Sequence, residues 1–289
     1  MEFNRLEAKL EARKSMRSNQ PSPMLVTLVY LVLIMVVTGL VHRLTSSPLA
    51  EMAQYLYMGY EVDEVIRYVA AGNPAGMAIF GAGALLIALY RVLMSFGYTS
   101  YALRMARNQQ PGYGRIFDGF ARPLRVVGAA ILTRLFTFLW TLLFLLPGLG
   151  VYLLLLLVSQ GSYEVVMGGY FLLVGVGVVL SAVISLRYRL SVYYLVDNLD
   201  CTALESVRRS REAMKGWKME LFILDLSFLP WTLLTTLTAG VLGVWVFPYQ
   251  EGTYAHFFDS VSEPAPPVET GGYMGQIYDR DSHIGPKPF

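Results

Sequence analysis

Long apolar blocks alternate with shorter polar segments along the chain. A block of about 20 apolar residues is long enough to cross the hydrocarbon core of a bilayer as a helix. The pattern predicts an all-α polytopic membrane bundle of about six helices, with a kink at Pro147 in the third helix. The predicted spans, which together form a membrane domain over residues 24–258, are 24–41, 76–97, 128–158, 165–190, 219–237 and 241–258.

The last two predicted spans come from one apolar run, residues 219–249, in which Pro230 and Thr238-Ala239-Gly240 offer break points. At a rise of about 1.5 Å per residue, the run is too long for one span and short for two. We interpret it as a short C-terminal hairpin of two helices. One tilted span is the alternative.

Both ends of the chain are polar. Residues 1–23 form a basic head in which Phe3, Leu6 and Leu10 recur at the spacing of one helical face. An amphipathic helix on the membrane surface and a solvated, frayed terminus are both compatible with this pattern. Residues 259–289 are rich in Pro, Gly and Ser, which predicts a disordered tail.

Composition supports the membrane interpretation and narrows the function classes. The chain is 55% hydrophobic and 15% charged, whereas soluble domains carry about 25% charged residues. The net charge of +2 is too small to indicate nucleic-acid binding. Cys201 is the single cysteine, which excludes an internal disulfide and a cysteine-rich metal site. His256 and Asp259 share a helical face, but two such residues do not make a metal site.

The distribution of cations predicts the topology. The head, residues 98–125 and residues 197–218 each carry five Lys or Arg, whereas residues 42–75 carry two and residues 159–164 none. Because Lys and Arg concentrate in cytoplasmic loops, the N-terminus and the two basic loops are expected on the cytoplasmic side of the membrane. Six spans would place the C-terminus there too.

The most polar segment between apolar blocks, residues 197–218, carries the signals of a capped helix. Thr202 and Glu205 have the spacing of a capping box, and Gly216 suits the end of a helix. Ala203, Val207 and Met214 form an apolar stripe flanked by cations. We interpret the segment as a helix at the cytoplasmic interface, either a plain connection or a site for anionic headgroups or a partner. Its candidate residues are Thr202, Glu205, Arg208, Arg209, Arg211, Lys215 and Gly216.

Asp225 is out of place because it lies within an apolar block. A carboxylate at mid-membrane costs on the order of 3 kcal/mol, so this one should face the interior of the bundle and find a partner. It is either a functional residue or half of a structural ion pair. The candidate partners are the cations Arg91, Arg134 and Arg187 and the local donors Ser227 and Trp231.

Several residue strings together resemble the bacterial integral-membrane family called domain of unknown function 975. They are Gly97-Tyr98-Thr99, Phe117-Asp118-Gly119-Phe120, Pro147-Gly148, Asp197-Asn198, Arg209-Ser210-Arg211-Glu212-Ala213-Met214-Lys215-Gly216, Leu224-Asp225-Leu226-Ser227-Phe228 and Pro248-Tyr249. The resemblance implies a cytoplasmic N-terminus in the bacterial cytoplasmic membrane, six helices and a tight final hairpin, but no activity. The chain differs from the family pattern at Pro230 and in residues 151–186, which resemble an apolar insertion.

Enzyme motifs for metal, nucleotide or acyl chemistry are absent from the sequence, so we expect no catalytic residue, cofactor or metal. The leading hypothesis is a non-enzymatic membrane protein that acts through lipid or protein contacts of its basic cytoplasmic helices, with anionic lipid headgroups as the expected partner. The alternative is a transporter component in which Asp225 and helices broken at Pro147 and Pro230 line a polar path. A membrane enzyme of unfamiliar type is the weakest hypothesis.

Overall fold

The computed structural model describes residues 3–158, 163–198 and 200–262, and all regular structure within them is helical. The helices of the described residues are α1 (Arg5–Ser18), α2 (Pro23–Thr45), α3 (Ser47–Tyr57), α4 (Val62–Gly72), α5 (Pro74–Ala106), α6 (Asp118–Ala121), α7 (Pro123–Val158), α8 (Tyr163–Ser185), α9 (Ser191–Asp197), α10 (Ala203–Ala213), α11 (Lys218–Leu237) and α12 (Gly243–Val261). Short 3-10 turns cover Tyr113–Phe117 and Leu186–Tyr188. Of the predicted disordered tail, residues 259–261 end α12 and residues 263–289 lie outside the described residues.

Five helical stretches of the described chain are long and apolar enough to cross a membrane. They are Pro23–Thr45, Pro74–Ala106, Pro123–Leu154, Met167–Asp197 and Lys218–Leu237. The protein is therefore a polytopic helical membrane bundle, as its apolar blocks predict. The helix α12, predicted as a sixth span, is not among these stretches.

The prolines inside the long helices do not break them. Pro147 lies within α7, which continues from Pro123 to Val158, and Pro230 lies within α11. A proline removes one backbone hydrogen bond from its helix. In membrane helices, neighbouring helices and nearby polar side chains compensate for this loss. The expectation that these two prolines expose backbone at a helix break is therefore wrong.

The helix α12 lies at the centre of one end of the bundle, where it packs against α1, α2, α5 and α11. Its buried side chains Phe257 and Phe258 belong to the largest core cluster, together with Leu221 and Phe228 of α11. Nearer its start, Phe247 packs against a second cluster that contains Val26 of α2. This burial inside the protein explains how α12 is held without the apolar surface of a membrane span.

The basic head is an ordered helix that packs through its small side chains. Ala8, Ala12 and Ser15 are buried, whereas Leu6 and Leu10 are 73% and 62% exposed. The small side chains let α1 approach α12 and α5 closely, and longer leucines would hold the helices apart. The spacing of Phe3, Leu6 and Leu10 thus identified a helix, and of these three residues Phe3 packs on Phe257 of α12. That the exposed leucines lie on the membrane surface stays a prediction.

Three basic segments gather where α5 ends. Ser15 donates to the carbonyl of Ala106 at 3.3 Å, and Asn19 donates to that of Met105 at 3.0 Å. The helix α10 packs on α9 and on α7 near its start. We call this end of the bundle, with α1, residues 107–122 and α10, the basic end. The grouping of these segments on one side matches the cation pattern of the sequence.

Glycines bring the segment 113–121 directly against α5. A Cβ atom on Gly97 would overlap the carbonyl oxygen of Ile116, and one on Gly119 would overlap that of Leu93. Backbone atoms cannot move aside as the end of a flexible side chain can. This contact fixes residues 113–121 on the surface of α5 at the basic end.

We expect Gly97→Ala to destabilise the protein by at least about 1–3 kcal/mol, the usual cost of overpacking. The matched control is Gly81→Ala in the same helix, where no atom lies within 4 Å of the added methyl group and alanine is the better helix former. The measurement is thermal unfolding of the purified protein in detergent. Equal melting temperatures for the two variants would contradict the close approach.

Candidate functional site

Asp225 faces the interior of the basic end and is half-buried. The hydroxyl of Tyr254 on α12 donates a hydrogen bond to its carboxylate. Gln250 donates in turn to the Tyr254 hydroxyl at 3.1 Å. Asp225 has therefore found a polar partner across the α11–α12 hairpin.

The cation that faces Asp225 is Arg189, which follows the 3-10 turn after α8. Its guanidinium lies 4.9 Å from the centre of the Tyr254 ring and interacts electrostatically with Asp225 and Glu251. The Tyr193 hydroxyl donates to Glu251 at 3.0 Å. We call Arg189, Tyr193, Asp225, Glu251 and Tyr254 the polar cluster.

The cations predicted to pair with Asp225 lie elsewhere. The guanidinium of Arg187 lies 5.9 Å from the centre of the Trp140 ring, and Arg91 and Arg134 line a cavity described below. Arg187 and Arg189 are only two residues apart. The identity of the partner therefore depended on the 3-10 turn at Leu186–Tyr188, which the sequence pattern did not reveal.

The predicted local donors also have other roles. Ser227 donates to the carbonyl of Leu224 at 2.6 Å and accepts from the ammonium of Lys9 at 2.8 Å. Trp231 is 44% exposed and lines a small cavity with Arg13 and Trp245. Burial, together with the neighbouring charges of Arg13 and Arg5, lowers the pKa of Lys9. These contacts attach the head helix α1 to α11.

The helix α10 has the predicted cap but a different environment for its apolar stripe. The Thr202 hydroxyl accepts from the Glu205 N–H at 3.2 Å, while the Glu205 carboxylate pairs with Arg209 at 2.6 Å. Gly216, after the helix, has φ +86°. The buried face contains Ser206, Val207 and Ser210 and packs on protein instead of lipid. The cations Arg208, Arg211 and Lys215 remain exposed.

One arginine joins three helix ends at the basic end. Arg107 follows α5 and pairs with Asp197 at the end of α9 and with Asp259 of α12, the latter at 2.7 Å. Burial acts to lower the pKa of Arg107, but the hydrogen bonds to Asp259 and Asp197 outweigh it and raise the pKa above its ordinary value. Asp259 is thus a structural partner of Arg107. The sequence pattern, which placed Asp259 on one helical face with His256, did not predict this ion pair.

An inner cavity of about 550 Å³ lies between α2, α5, α7 and α9. Arg91, near the middle of α5, and Arg134, about three turns into α7, both line it. No acidic side chain is among its lining residues, which also include Tyr30, Ser95 and Thr99. The cavity therefore presents two cations and several hydroxyl groups within helices that are otherwise apolar.

The model of the family described as "Protein of unknown function (DUF975)" matches residues 1–265. The chain belongs to this family. No curated protein and no solved structure matches it. In this DUF975 protein, the family match covers α1 to α12, and so includes the polar cluster, the Arg107 pairs and the inner cavity.

Metal binding finds no support in the part of this DUF975 protein that the structure describes. No group of three or more His, Cys, Asp or Glu side chains occurs there with the spacing to hold a metal ion. Cys201 is buried, and this burial raises the pKa of its thiol. A raised pKa keeps a thiol protonated and disfavours both metal ligation and nucleophilic attack.

The hydrogen bond between Tyr254 and Asp225 should contribute measurably to stability. We expect Tyr254→Phe to cost about 1.5–3 kcal/mol, because the acceptor is charged, and to cost less in an Asp225→Asn background. The control is Tyr249→Phe in the same helix, since Tyr249 packs on Phe228 through its ring. Unfolding in detergent is measured for the wild type, the two single variants, the double variant and the control. Equal losses in both backgrounds would show that the two side chains are not coupled.

The Arg107–Asp259 pair should also be stabilising. We expect Asp259→Asn to cost about 1–3 kcal/mol, below the cost of breaking a fully buried pair because both side chains are about one-third exposed. The control is Asp63→Asn, which breaks the exposed Arg67–Asp63 pair and should cost less than about 1 kcal/mol. Comparable shifts in melting temperature for the two variants would contradict a structural role for Asp259.

Proposed function

We propose that this DUF975 protein is a non-enzymatic membrane protein that binds anionic lipid headgroups, and that Arg91 and Arg134 hold the phosphate group. The observation that carries the proposal is the inner cavity with its two arginines. The sequence led us to expect lipid contacts at the basic cytoplasmic helices. The proposal adds a specific binding site for the headgroup, the inner cavity within the membrane domain.

The charge of the inner cavity favours an anionic ligand. An arginine placed at the centre of a membrane helix costs about 2.5–3.5 kcal/mol on insertion scales. The described residues provide no carboxylate in the cavity to offset this cost. A phosphate group can accept two parallel charge-assisted hydrogen bonds from one planar guanidinium group. Arginine therefore matches the geometry of a phosphate better than lysine, whose ammonium group is a point charge.

The surroundings of the cavity favour a lipid over a soluble anion. Arg91 and Arg134 are both exposed. Ile131 and Leu135, beside Arg134 on α7, are 59% and 46% exposed. On a membrane helix, such exposed apolar side chains face acyl chains. A phospholipid could therefore place its phosphate between the arginines while its chains lie along α7.

The exposed cations of the basic end support the same function. Arg208, Arg211 and Lys215 on α10 remain exposed, and cations at this position are attracted to the anionic surface of a cytoplasmic leaflet. We accordingly propose that the basic end faces the cytoplasm of a bacterial cell. The transport hypothesis has less support, because Pro147 and Pro230 leave their helices unbroken and Asp225 does not line the inner cavity.

Lipid binding by the purified protein tests the proposal. We expect phosphatidylglycerol to raise the melting temperature of the wild type more than phosphatidylcholine does, and native mass spectrometry to detect bound anionic lipid. The double variant Arg91→Gln/Arg134→Gln should bind at least about tenfold more weakly, since the loss of two charge-assisted contacts exceeds about 1.4 kcal/mol.

The matched control removes the same charge from the surface, in Arg208→Gln/Arg211→Gln. This variant should keep most of the wild-type affinity. If it loses binding while Arg91→Gln/Arg134→Gln keeps it, headgroups bind at α10 and the assignment of the inner cavity is wrong. Equal effects of phosphatidylglycerol and phosphatidylcholine on the wild type would overturn the proposed function itself.

A further inference from the structure

The cations of α1 border an apolar groove on the C-terminal hairpin. This groove of about 210 Å³, which we call the hairpin groove, lies between α1, α11 and α12. Its lining residues include Arg13, Met16, Trp231, Leu242, Trp245 and Tyr249. We propose that it holds one acyl chain of an anionic phospholipid whose phosphate binds Arg13 and Arg17. Its lining shares no described residue with that of the inner cavity, so the proposal does not depend on the inner cavity.

Two tryptophans supply the apolar wall of the hairpin groove. Trp231 of α11 and Trp245 of α12 are 44% and 48% exposed. Next to them, Leu237 and Val241 at the turn of the hairpin are 82% and 65% exposed. Contiguous exposed apolar surface marks an interaction site, and tryptophan is enriched where a membrane protein crosses the bilayer interface. Acyl chains are the apolar partner that a bilayer offers to this surface.

The cations beside the groove are Arg13 and Arg17, which lie one turn apart on the same face of α1 and are both exposed. Arg13 lines the hairpin groove and, together with Arg17, an adjoining hollow. In the described chain neither arginine forms an ion pair, whereas the ammonium of Lys14 lies 3.6 Å from the carboxylate of Glu11. Two guanidinium groups without a counter-ion match one phosphate group, which accepts parallel charge-assisted hydrogen bonds from them.

Arg13 is held at the edge of the groove before any lipid arrives. Its guanidinium lies 5.2 Å from the centre of the Tyr249 ring, a contact that occupies none of its five N–H donors with a conventional acceptor. The helix that carries it is fixed to α11 by the hydrogen bond of 2.8 Å from Lys9 to Ser227. It is fixed to α5 by Ser15. Preorganisation of this kind lowers the entropy cost of binding.

The position of the groove fits the depth of a lipid headgroup. The first span, α2, begins at Pro23, shortly after Arg17 in the chain. Met16, which lines the groove, packs against the core cluster that contains Val26 of α2. Arg13 and Arg17 therefore lie where the first span enters the bilayer, and cations at this depth attract anionic headgroups.

The size of the groove limits its occupant. A volume of about 210 Å³ is below the roughly 300–1,000 Å³ of pockets that take drug-sized ligands. A helix of a partner protein, about 10–12 Å across with its side chains, is too wide for this space. An extended acyl chain is narrow and flexible, and it can lie between the two tryptophans.

Photo-crosslinking of the purified full chain in detergent tests the hairpin groove. The probe is phosphatidylglycerol with a diazirine in its acyl chain, and mass spectrometry of the peptides locates the label. We expect label within residues 231–249, and more of it than from the matching phosphatidylcholine probe. Arg13→Gln/Arg17→Gln should lower this labelling at least about tenfold, because two charge-assisted contacts are lost. Arg17→Gln alone should lower it in the same direction without a change in melting temperature, since Arg17 is exposed.

Three further variants separate the groove from plain attraction to charge. Leu242→Trp fills the groove and keeps every cation, so it should lower the labelling of residues 231–249 as the arginine variants do. Lys14→Gln removes a neighbouring cation that is already paired with Glu11, and it should be labelled as the wild type is. Arg91→Gln/Arg134→Gln, which alters only the inner cavity, should also keep this label.

Other results would overturn the groove as a lipid site. Equal labelling by the two probes would show that no anionic headgroup is recognised there. Unchanged labelling in Arg13→Gln/Arg17→Gln would place the phosphate elsewhere, and a dimer that Leu242→Trp abolishes would assign the groove to a second copy of the chain. Loss of the label only in Arg91→Gln/Arg134→Gln would leave the inner cavity as the site of the lipid, so failure of the groove and failure of the proposed function are distinguishable.

Discussion

The basic end of the bundle depends on one arginine with two carboxylate partners. Arg107 joins the end of α5 to Asp197 of α9 and Asp259 of α12. Both α9 and α12 also pack directly against α5, and beyond it they have different neighbours, α7 and α10 for α9 and α1 and α2 for α12. By holding the end of α12, Arg107 also holds the element that carries Glu251 and Tyr254. The same ion pairs therefore stabilise the helix that carries part of the polar cluster and that packs against α1.

A smaller cavity at the basic end, lined among others by Arg104 and Arg115, shares one wall with the inner cavity. Phe96, Val126 and Leu195 line both. On one side of this wall, Arg91 and Arg134 lie among apolar helices. On the other side, Arg104 and Arg115 lie at the basic end, where water is available. Arg91 and Arg104 of α5, which lie on opposite sides of Phe96 in the sequence, thus face cavities of different polarity.

The sequence predicted the helices well because a bilayer imposes a length and a polarity on every span. The cap at Thr202 was also predictable, since it involves neighbouring residues only. The partner of Asp225 was not, because it depends on how α12 and the 3-10 turn at Leu186–Tyr188 pack against α11. The contact of α1 with the rest of the bundle was also not predictable, because the leucine pattern marks apolar surface, whereas the buried face consists of the small residues Ala8, Ala12 and Ser15. The inner cavity was not predictable, because its lining comes from four helices that are distant in the sequence. Its arginines, Arg91 and Arg134, do stand out within apolar blocks.

The attachment of α1 to the C-terminal hairpin has a consequence for biosynthesis. Lys9 and Ser227, which form a hydrogen bond, are separated by 218 residues in the chain. Because α1 is synthesised before α11 and α12, it must wait for them before its alanine face is covered. Contacts between such distant segments form late in folding. An intermediate that lacks the hairpin therefore leaves the face of Ala8 and Ala12 without its main packing partner.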